Sequence, residues 1–538
     1  MKILKIVLVS LLVLAGVLAA AGIFFLKTFN VNRYKPQIIS QVKTLLNRDI
    51  NFDNAKLDIS ISRGINLKIS NLVLGDNPAF QQNDFLRVRE LSVSLDALSY
   101  LLRKEVKIPG IFIDSPRVTI IRQKDGRVNA ASFNAPQHPG APGTQQSNKP
   151  GATLALPAVL VSSLQLNNGA VTYIDRSFEP ALLLDITDIN VSISRISLIE
   201  PFPFLVEAAV LAAKKNIRIE GSLQVNLLKN EITVSGLKAS TDLAGIVLAK
   251  IPVTFPMAKG VVLPEDLKGL VEIKLDSLTA GQSGIGALNA AMALSEGAVK
   301  IKDIPSPVNS IEANINLTQS DIAMDKASLA VGGGALKCSG SLKDYTAGQS
   351  FIVTADIANI RLQDLLPQEK APVKIEGIVT GPIKASGRGF APDALKSGLS
   401  ASADILLARA KLTDLNVLRI VLDKISVLPG LSQSIEAGLP PELNKKLEQK
   451  DTVLSDMKIP VNIENGRIII KEAVIASDDF MFKGRLESGF DASYSLEGSF
   501  LIAREFSAAL VSAVSQLQYL LNDENLIYIP LKVSGSGG

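Results

Sequence analysis

The chain has 538 residues, of which 47% are hydrophobic, 20% charged and 5% aromatic, and this composition is typical of folded domains and excludes a disordered protein. Its 56 Lys and Arg residues nearly balance its 52 Asp and Glu residues, which argues against a broad nucleic-acid-binding surface. One Cys and one His exclude an intrachain disulfide and metal sites built from several Cys or His ligands, and they disfavour hydrolases that need a positioned His base.

The first element is an uncharged apolar stretch at residues 6–26. As a helix it would span roughly 30 Å, the thickness of a bilayer core, whereas the apolar part of a secretory signal has only about 7–15 residues. We therefore predict a transmembrane anchor behind a short tail at residues 1–5; a signal peptide cleaved near residues 19–22 is the alternative. The flanking Lys and Arg residues slightly favour a body on the inner side, but a signal-anchor so near the N-terminus normally carries the following chain across the membrane.

A short helix is predicted directly after the anchor. Residues 36–47 begin with a proline, which suits the first turn of a helix. We expect this helix to be amphipathic and to pack on the start of the next domain, with the bilayer surface as the alternative location. Its apolar positions at helical spacing are Ile38, Ile39, Val42, Leu45 and Leu46.

Alternation of apolar and polar residues with a period of two dominates the rest of the chain. Such alternation predicts strands with one apolar and one wet face, as in antiparallel sheets, and the βαβ rhythm of a parallel sheet is absent. The dipeptide Asn465-Gly466 predicts a hairpin, and we interpret Asn168-Gly169 and Glu296-Gly297 as turns between other strand pairs. The alternating apolar positions are Leu91, Val93, Leu95, Ile189, Val191, Ile193, Val271, Ile273, Leu275, Ile311, Ile315, Leu317, Val461, Ile463, Ile468 and Ile470.

Glycines recur inside these extended segments. A glycine within a strand marks a bulge or a bend, and repeated bends allow a wide sheet to curl. We therefore predict a mainly β protein in which an elongated, curled antiparallel sheet follows the transmembrane helix, with a few flanking helices near the two ends. The recurring glycines are Gly221, Gly340, Gly377, Gly484 and Gly498.

One segment interrupts the strand pattern. Residues 134–153 are rich in Pro, Gly, Gln and Ser, cannot bury a core, and contain the lone His138, which we expect to be solvated. This linker divides the chain into an N-terminal β domain at residues 27–133, a middle β region at residues 154–394 and a C-terminal β region at residues 395–538.

Helical periodicity returns in the C-terminal region. The apolar stripes there are typical of faces that pack on a core, and capping of the open end of a β structure is the alternative. The predicted helices are one with Leu415, Leu418, Leu422, Ile425 and Leu428, a short one beginning at Pro441, and one with Phe506, Leu510, Val514, Leu517 and Leu521.

No catalytic or cofactor-binding motif is found in the sequence. The glycines at residues 332–334 lack the Lys and Ser/Thr of a phosphate-binding loop, and residues 387–389 lack the context of a dinucleotide fingerprint. We interpret Asp478-Asp479 as a turn and Cys338 as a small core residue. The sequence therefore predicts that the protein is not an enzyme, with no catalytic residue, no cofactor and no metal.

Three parts of the chain resemble the AsmA-like family of bacterial envelope proteins. In the second of them, Ala408-Arg409-Ala410 stands where the family pattern leads us to expect a turn of small polar residues and glycine. The segments that carry the resemblance are LGDNPAF (residues 74–80) with IFIDSPRVTIIRQKDGRVN (111–129), LKSGLSASADILLARAKLTDLNVL (395–418), and IPVNIENGRIIIKEAVIASDDFMFKGRLE (459–487).

The resemblance implies a protein anchored in the bacterial inner membrane through residues 6–26, with its bulk in the periplasm. The family is similar to bridge-like lipid transfer proteins, in which a long curled sheet forms an apolar groove, and it is linked to outer-membrane biogenesis. The sixteen alternating positions would then line a groove for phospholipid acyl chains, and an outer-membrane or periplasmic protein is a possible partner, but nucleic acid is not.

The residues alone leave open where the apolar faces of the strands are buried. In a sandwich they would meet a second sheet, whereas in a groove they would meet acyl chains. The alternative function is therefore a non-enzymatic scaffold with a dry core that assists outer-membrane protein assembly through its strand edges.

Overall fold

The computed structural model of the chain describes residues 30–60, 64–81, 83–96, 99, 105–133, 160–226, 229–259, 261–281, 284–367, 373–425 and 437–536. The predicted anchor at residues 6–26, the linker at residues 134–153 and His138 lie outside the described residues. Every helix within the described ranges is too short or too polar to cross a bilayer.

The fold is mainly β, as predicted. Backbone hydrogen bonds assign 26 strands of the described residues to one sheet and two more, β5 and β8, to a small parallel pair. The strands are β1 (Ile50–Asn51), β2 (Asn54–Ser60), β3 (Gly64–Gly75), β4 (Asp84–Leu95), β5 (Lys107–Ile108), β6 (Gly110–Asp114), β7 (Arg117–Arg122), β8 (Leu160–Val161), β9 (Ser163–Asp175), β10 (Leu182–Ser194), β11 (Phe202–Val210), β12 (Ile217–Asn226), β13 (Glu231–Asp242), β14 (Asp266–Gly281), β15 (Gly284–Ile285), β16 (Asn289–Lys300), β17 (Val308–Thr318), β18 (Ile322–Val331), β19 (Gly334–Lys343), β20 (Ser350–Arg361), β21 (Lys374–Arg388), β22 (Ser400–Thr413), β23 (Thr452–Val453), β24 (Met457–Glu464), β25 (Arg467–Ala476), β26 (Phe480–Gly489), β27 (Ser493–Ile502) and β28 (Tyr528–Ser536).

Helices are short and sparse within the described residues. The α-helices are α1 (Lys35–Leu46), α2 (Ile251–Thr254), α3 (Pro392–Gly398), α4 (Val417–Ile425), α5 (Pro441–Glu448) and α6 (Arg504–Ala513). The 3-10 helices are Val31–Tyr34, Asn129–Ala131, Leu243–Gly245, Leu248–Lys250, Pro256–Ala258, Leu362–Asp364 and Ser515–Leu520.

The predicted entry helix is confirmed as α1. A proline lies in its first turn, and Asn47 ends it in the left-handed conformation, with its N–H donating to the Lys43 carbonyl at 2.8 Å. Ile38 and Ile39 are half-buried, and the Lys35 ammonium donates to the Phe52 carbonyl beside β1. The helix therefore packs on the first strands of the domain.

The chain divides into two compact units. Unit 1 comprises Met1–Val261 and Glu272–Leu288, and unit 2 comprises Val262–Val271 and Asn289–Gly538. In unit 2, β16 to β22 form an antiparallel meander, β24 pairs with β22, and β24 to β28 continue as a second meander.

Unit 1 departs from the predicted all-antiparallel pairing. Strands β9 to β13 form an antiparallel meander, but β9 lies parallel to both β6 and β7. The antiparallel prediction is therefore wrong for these pairs. Two parallel strands need a connection of a dozen or more residues between them. Residues 123–159, which precede β8 and β9, provide that length after β7.

The interpretation of Asn168-Gly169 and Glu296-Gly297 as turns is wrong. Asn168 and Glu296 both have φ 53°, but they lie inside β9 and β16, where the pairing register shifts. A left-handed residue followed by glycine fits a β-bulge as well as a turn. At Gly297 a Cβ atom would lie 2.7 Å from the Ile311 Cβ, so glycine lets the strands remain close at the bulge.

The recurring strand glycines have two different roles. Gly221 and Gly377 lie at register shifts of β12 and β21, which confirms the predicted bulges. Gly484 lies directly opposite Gly498, and a Cβ atom on either would approach the Phe482 ring to 2.6 or 2.9 Å. This glycine pair leaves room for an aromatic side chain in a regular ladder.

The dipeptide Asn465-Gly466 forms the predicted hairpin. Both residues have positive φ, 52° and 73°, and Glu464 pairs with Arg467 at the ends of β24 and β25. The prediction is confirmed because both positions of this tight turn require the left-handed conformation.

The C-terminal helices cover a closed core, as predicted for their apolar stripes. Phe506 is 1% exposed, and Leu510, Leu418 and Leu422 are also buried. They belong to one buried cluster with side chains of β22, β24, β26 and β27. Leu428 lies outside the described residues.

A buried polar link joins residues 74–80 to residues 111–129. The Asn129 amide donates to the Asp76 carboxylate at 2.7 Å and to the Thr119 carbonyl at 2.9 Å, and its oxygen accepts the Ile121 N–H at 2.9 Å. Asn129 is buried, and these three hydrogen bonds to protein groups satisfy both of its amide donors and its oxygen.

We expect Asn129→Ala to lower the free energy of local opening around β7 by about 2–3 kcal/mol, because it leaves buried partners unsatisfied. Hydrogen exchange of the β7 amides measures this change. Asn314→Ala, on an exposed strand face, is the control and should change the opening free energy of its own strand by less than about 0.5 kcal/mol. Equal effects of the two substitutions would contradict a structural role of the link.

Candidate functional site

In unit 2 the sheet aligns apolar side chains from many strands in two rows. Direct cross-strand partners point to the same face, so a chain of partners defines a row on that face. The first row is Met292, Ile315, Met324, Gly340, Val353, Ala385, Ala401, Ile463 and Ile468. The second row is Leu294, Ala313, Ala327, Cys338, Ala355, Ile383, Ala403 and Val461. We call these two rows the unit 2 apolar face.

The unit 2 apolar face is half-buried along its whole length. Within the described part of the chain, none of its residues belongs to the buried cluster beneath the C-terminal helices. In that cluster Phe480, Phe500 and Ile502 have almost no exposed surface. A sandwich would enclose its inner face in the same way. The described residues therefore leave this apolar face without a covering second layer.

The opposite face of the same strands is polar and exposed. Alternate residues of β17, β20 and β21 lie there, and some of them bond to side chains of neighbouring strands. The Asn316 amide donates to the Asp325 carboxylate at 2.6 Å, and the Ser339 and Thr354 hydroxyls are 2.8 Å apart. Ile352 is an apolar exception and is 60% exposed. The two faces of these strands thus differ sharply in polarity.

Unit 1 contains a comparable surface, which we call the unit 1 apolar face. Its side chains are also half-buried and come from β3, β4, β6 and β9 to β13. One row is Ile69, Leu91, Ile113, Leu166, Val191, Val206, Ile219 and Ala239, and the other is Leu67, Val93, Ile111, Leu164, Ile193, Phe204 and Gly221.

The structure places half of the sequence-predicted residues in the rows of these two faces. In unit 1 the row positions are Leu91, Val93, Val191 and Ile193, and Leu95 and Ile189 lie on the same strands. In unit 2 the row positions are Ile315, Val461, Ile463 and Ile468, and Ile311, Leu317 and Ile470 lie on the same strands. On β14, Val271 is half-buried, Ile273 exposed and Leu275 buried. Whether any of them contacts lipid stays a prediction.

Sequence reasoning missed the central strands of the unit 2 apolar face. In β20 the alternation is present, since Phe351, Val353, Ala355 and Ile357 alternate with polar or exposed residues. Alanine is only weakly apolar and also common in helices, so it makes this pattern hard to see. In β21 the next residue on the same face as Ile383 is Ala385, so the alternation is equally hard to see there.

The ionisable side chains at the end of β9 are hydrogen-bonded or ion-paired with neighbouring residues. At the end of β9, the Asp175 carboxylate accepts the Ser177 hydroxyl at 2.6 Å and the Tyr173 hydroxyl at 3.1 Å, and pairs with Arg122 at 3.3 Å. The hydrogen bonds from Ser177 hold the pKa of Asp175 below its ordinary value, and burial raises the pKa of Tyr173. Both groups therefore keep their ordinary charge state at neutral pH and close the turn that ends β9.

In the described ranges, no three His, Cys, Asp or Glu side chains are placed to hold a metal ion.

The sequence model of the AsmA family matches residues 1–283 and 289–472. The chain belongs to the AsmA family. The AsmA match includes the middle strands of the sheet, which lie outside the three segments that carry the sequence resemblance. It spans both apolar faces up to β25. A comparison with curated proteins finds no match.

Proposed function

We propose that the protein holds or conducts phospholipid acyl chains along its apolar β faces. The observation that carries this proposal is the unit 2 apolar face, whose two rows are half-buried across eight successive strands in the described residues. Such a face needs an apolar contact, and an acyl chain can provide one without specific polar groups. Membership of the AsmA family, which is associated with envelope and outer-membrane assembly, supports the same role.

The dimensions and the energetics support an acyl chain as the occupant. Strands lie about 4.8 Å apart, so a row across eight strands is about 35 Å long. A bilayer core of about 30 Å holds two leaflets, so such a row is longer than one acyl chain. Each CH₂ group removed from water contributes about 0.8 kcal/mol, so binding would depend on chain length and not on headgroup chemistry.

The proposal includes the place of this activity. The protein would be anchored in the bacterial inner membrane through residues 6–26, with its bulk in the periplasm and a role in outer-membrane biogenesis. It would act without catalysis or a cofactor, and an outer-membrane or periplasmic protein could receive the lipid.

Site-specific photocrosslinking tests the proposal. A benzoylphenylalanine at Val353 or Ile315 in unit 2, or at Val191 in unit 1, should capture phospholipid in cells, as mass spectrometry of the adducts would show. The matched control is Ile352, an exposed apolar residue adjacent to Val353 on the opposite face. Asn314 and Ser192 are polar controls on the opposite faces of the other strands.

Lipid capture from Val353 but not from Ile352 is the expected result. Capture at equal yield from both faces would indicate non-specific contact and would refute an apolar track. Adducts to outer-membrane proteins without lipid would instead favour a scaffold for protein assembly.

A further inference from the structure

Two neighbouring connections of unit 1 lie outside its strands, and the second of them exposes large apolar side chains. One connection, residues 211–216, joins β11 to β12, and the other, residues 243–261, follows β13. Val253 is 73% exposed, and Met257 and Val261 are each 59% exposed. These side chains lie outside the strands and therefore outside the unit 1 apolar face.

The two connections form one continuous surface. The Val247 N–H donates to the Leu211 carbonyl at 2.7 Å, and the Lys250 ammonium donates to the Ala212 carbonyl at 3.3 Å. Ala212 and Ile246 also form an isolated β-bridge. We call residues 211–216, 243–259 and 261 together the basic connection surface.

Every charged residue of the basic connection surface is a lysine. The four are Lys214, Lys215, Lys250 and Lys259, whereas the whole chain has 52 acidic residues for 56 basic ones. Lys214 and Lys259 have no ion-pair partner among the described residues, and Lys215 lies 3.8 Å from Glu207. Lys250 has no ion-pair partner among those residues either, so three of the four lysines give the surface a local positive charge.

The chemistry of this surface favours a lipid bilayer over a protein as its partner. Protein interfaces are enriched in Tyr, Trp and Arg and depleted in Lys. The basic connection surface has no Arg, Tyr or Trp, and its one aromatic residue, Phe255, is half-buried. Exposed aliphatic residues among lysines suit the interface of an anionic membrane, where apolar side chains insert and each lysine gains from the negative surface potential.

We propose that the basic connection surface binds a negatively charged phospholipid bilayer. Val253, Met257 and Val261 insert between the headgroups, and the lysines lie against the phosphates. This contact differs from the binding of acyl chains along the sheet, because it requires an intact membrane surface and anionic headgroups. It places unit 1 directly on a membrane.

A fluorescent probe on the full chain tests the proposal. The chain is held in nanodiscs of phosphatidylcholine, and an environment-sensitive fluorophore is attached to Met257→Cys in a Cys338→Ala background. Vesicles with equal parts phosphatidylglycerol and phosphatidylcholine should shift its emission to the blue and raise its intensity at least threefold. Pure phosphatidylcholine vesicles should not change it, and the same label on Ile352→Cys should respond to neither.

Charge variants complete the test. Lys214→Glu combined with Lys259→Glu should weaken the apparent vesicle affinity at least tenfold, and the milder Lys214→Gln with Lys259→Gln should weaken it to an intermediate degree. No response of the Met257 probe to anionic vesicles, an equal response to neutral ones, or an affinity unchanged in both charge variants would overturn the proposal. Protein adducts without lipid from a photocrosslinker at Val253 would also overturn it, in favour of a protein partner. None of these results would bear on lipid capture at Val353, so the two proposals can fail separately.

Discussion

Phe506→Ala is expected to lower the free energy of local opening of the C-terminal core by about 3–5 kcal/mol, the usual loss for a fully buried aromatic side chain. Phe506 is 1% exposed and packs with Leu510 and Ile502, which are both completely buried. The surrounding cluster is closed by α5 and α6, so it cannot collapse into the space without breaking other contacts. Hydrogen exchange of the amides in β26, β27 and α6 measures the change.

Ile383→Ala provides the matched comparison within the same unit. Ile383 is half-buried on the unit 2 apolar face, and its removal leaves a depression that is already open to solvent. We expect a loss of about 1 kcal/mol or less, since the cavity contribution disappears and only part of the transfer free energy remains. A loss as large as that for Phe506→Ala would show that a further layer covers this face, and would argue against a lipid track.

The fold class could be predicted from the sequence, because a strand with one apolar face shows a local alternation of apolar and polar residues. In β17, Glu312, Asn314 and Asn316 alternate with apolar residues, and the structure exposes the former and half-buries the latter. The same locality explains why α1 and α6 were predicted, since their apolar residues recur at helical spacing within one segment.

Strand pairing is harder to predict from the sequence, because it depends on residues far apart in the chain. Nothing in β7 or β9 alone indicates that Val118 lies opposite Val171 in a parallel pair. The bulges at Asn168 and Glu296 resemble turns in the sequence for a related reason. A positive φ followed by glycine is the same local signal in a turn and in a bulge, and only the partner strand distinguishes them.

One departure from the family pattern has a structural explanation. Arg409 has φ 52° inside β22, and its N–H donates to the Asp456 carboxylate at 3.0 Å. Glycine or asparagine would adopt this left-handed conformation more easily. The position therefore keeps the backbone geometry that a small polar-Gly turn would favour, although the side chain differs.

The candidate site could be predicted only in part. The row positions Ile315 and Ile463 were identified because large aliphatic residues flank them, whereas Ala385 and Ala401 between them were not. Their place in the row follows from cross-strand register alone. The sequence thus indicated which strands have an apolar face but not how wide that face is.

A carboxylate placed in the middle of the unit 2 apolar face is expected to reduce lipid capture at least tenfold. Ala355 lies between Cys338 and Ile383 in the second row, so Ala355→Asp would interrupt that row near its centre, two residues from Val353 of the first row. Burying a charged group against acyl chains without a partner costs several kcal/mol. A cost of about 3 kcal/mol corresponds to a roughly hundredfold weaker occupancy, since each 1.4 kcal/mol is about tenfold.

The matched control is Ala358→Asp, which introduces the same charge in the same strand at an exposed position on the opposite face. The measurement is the yield of phospholipid adducts from a photocrosslinker at Ile463, several strands away from the substitution. Ala355→Asp should reduce that yield by at least tenfold, and Ala358→Asp should leave it unchanged. If both variants retain full yield while their strands remain protected in hydrogen exchange, lipid does not travel along this face, because a continuous apolar path cannot tolerate a charge at its centre.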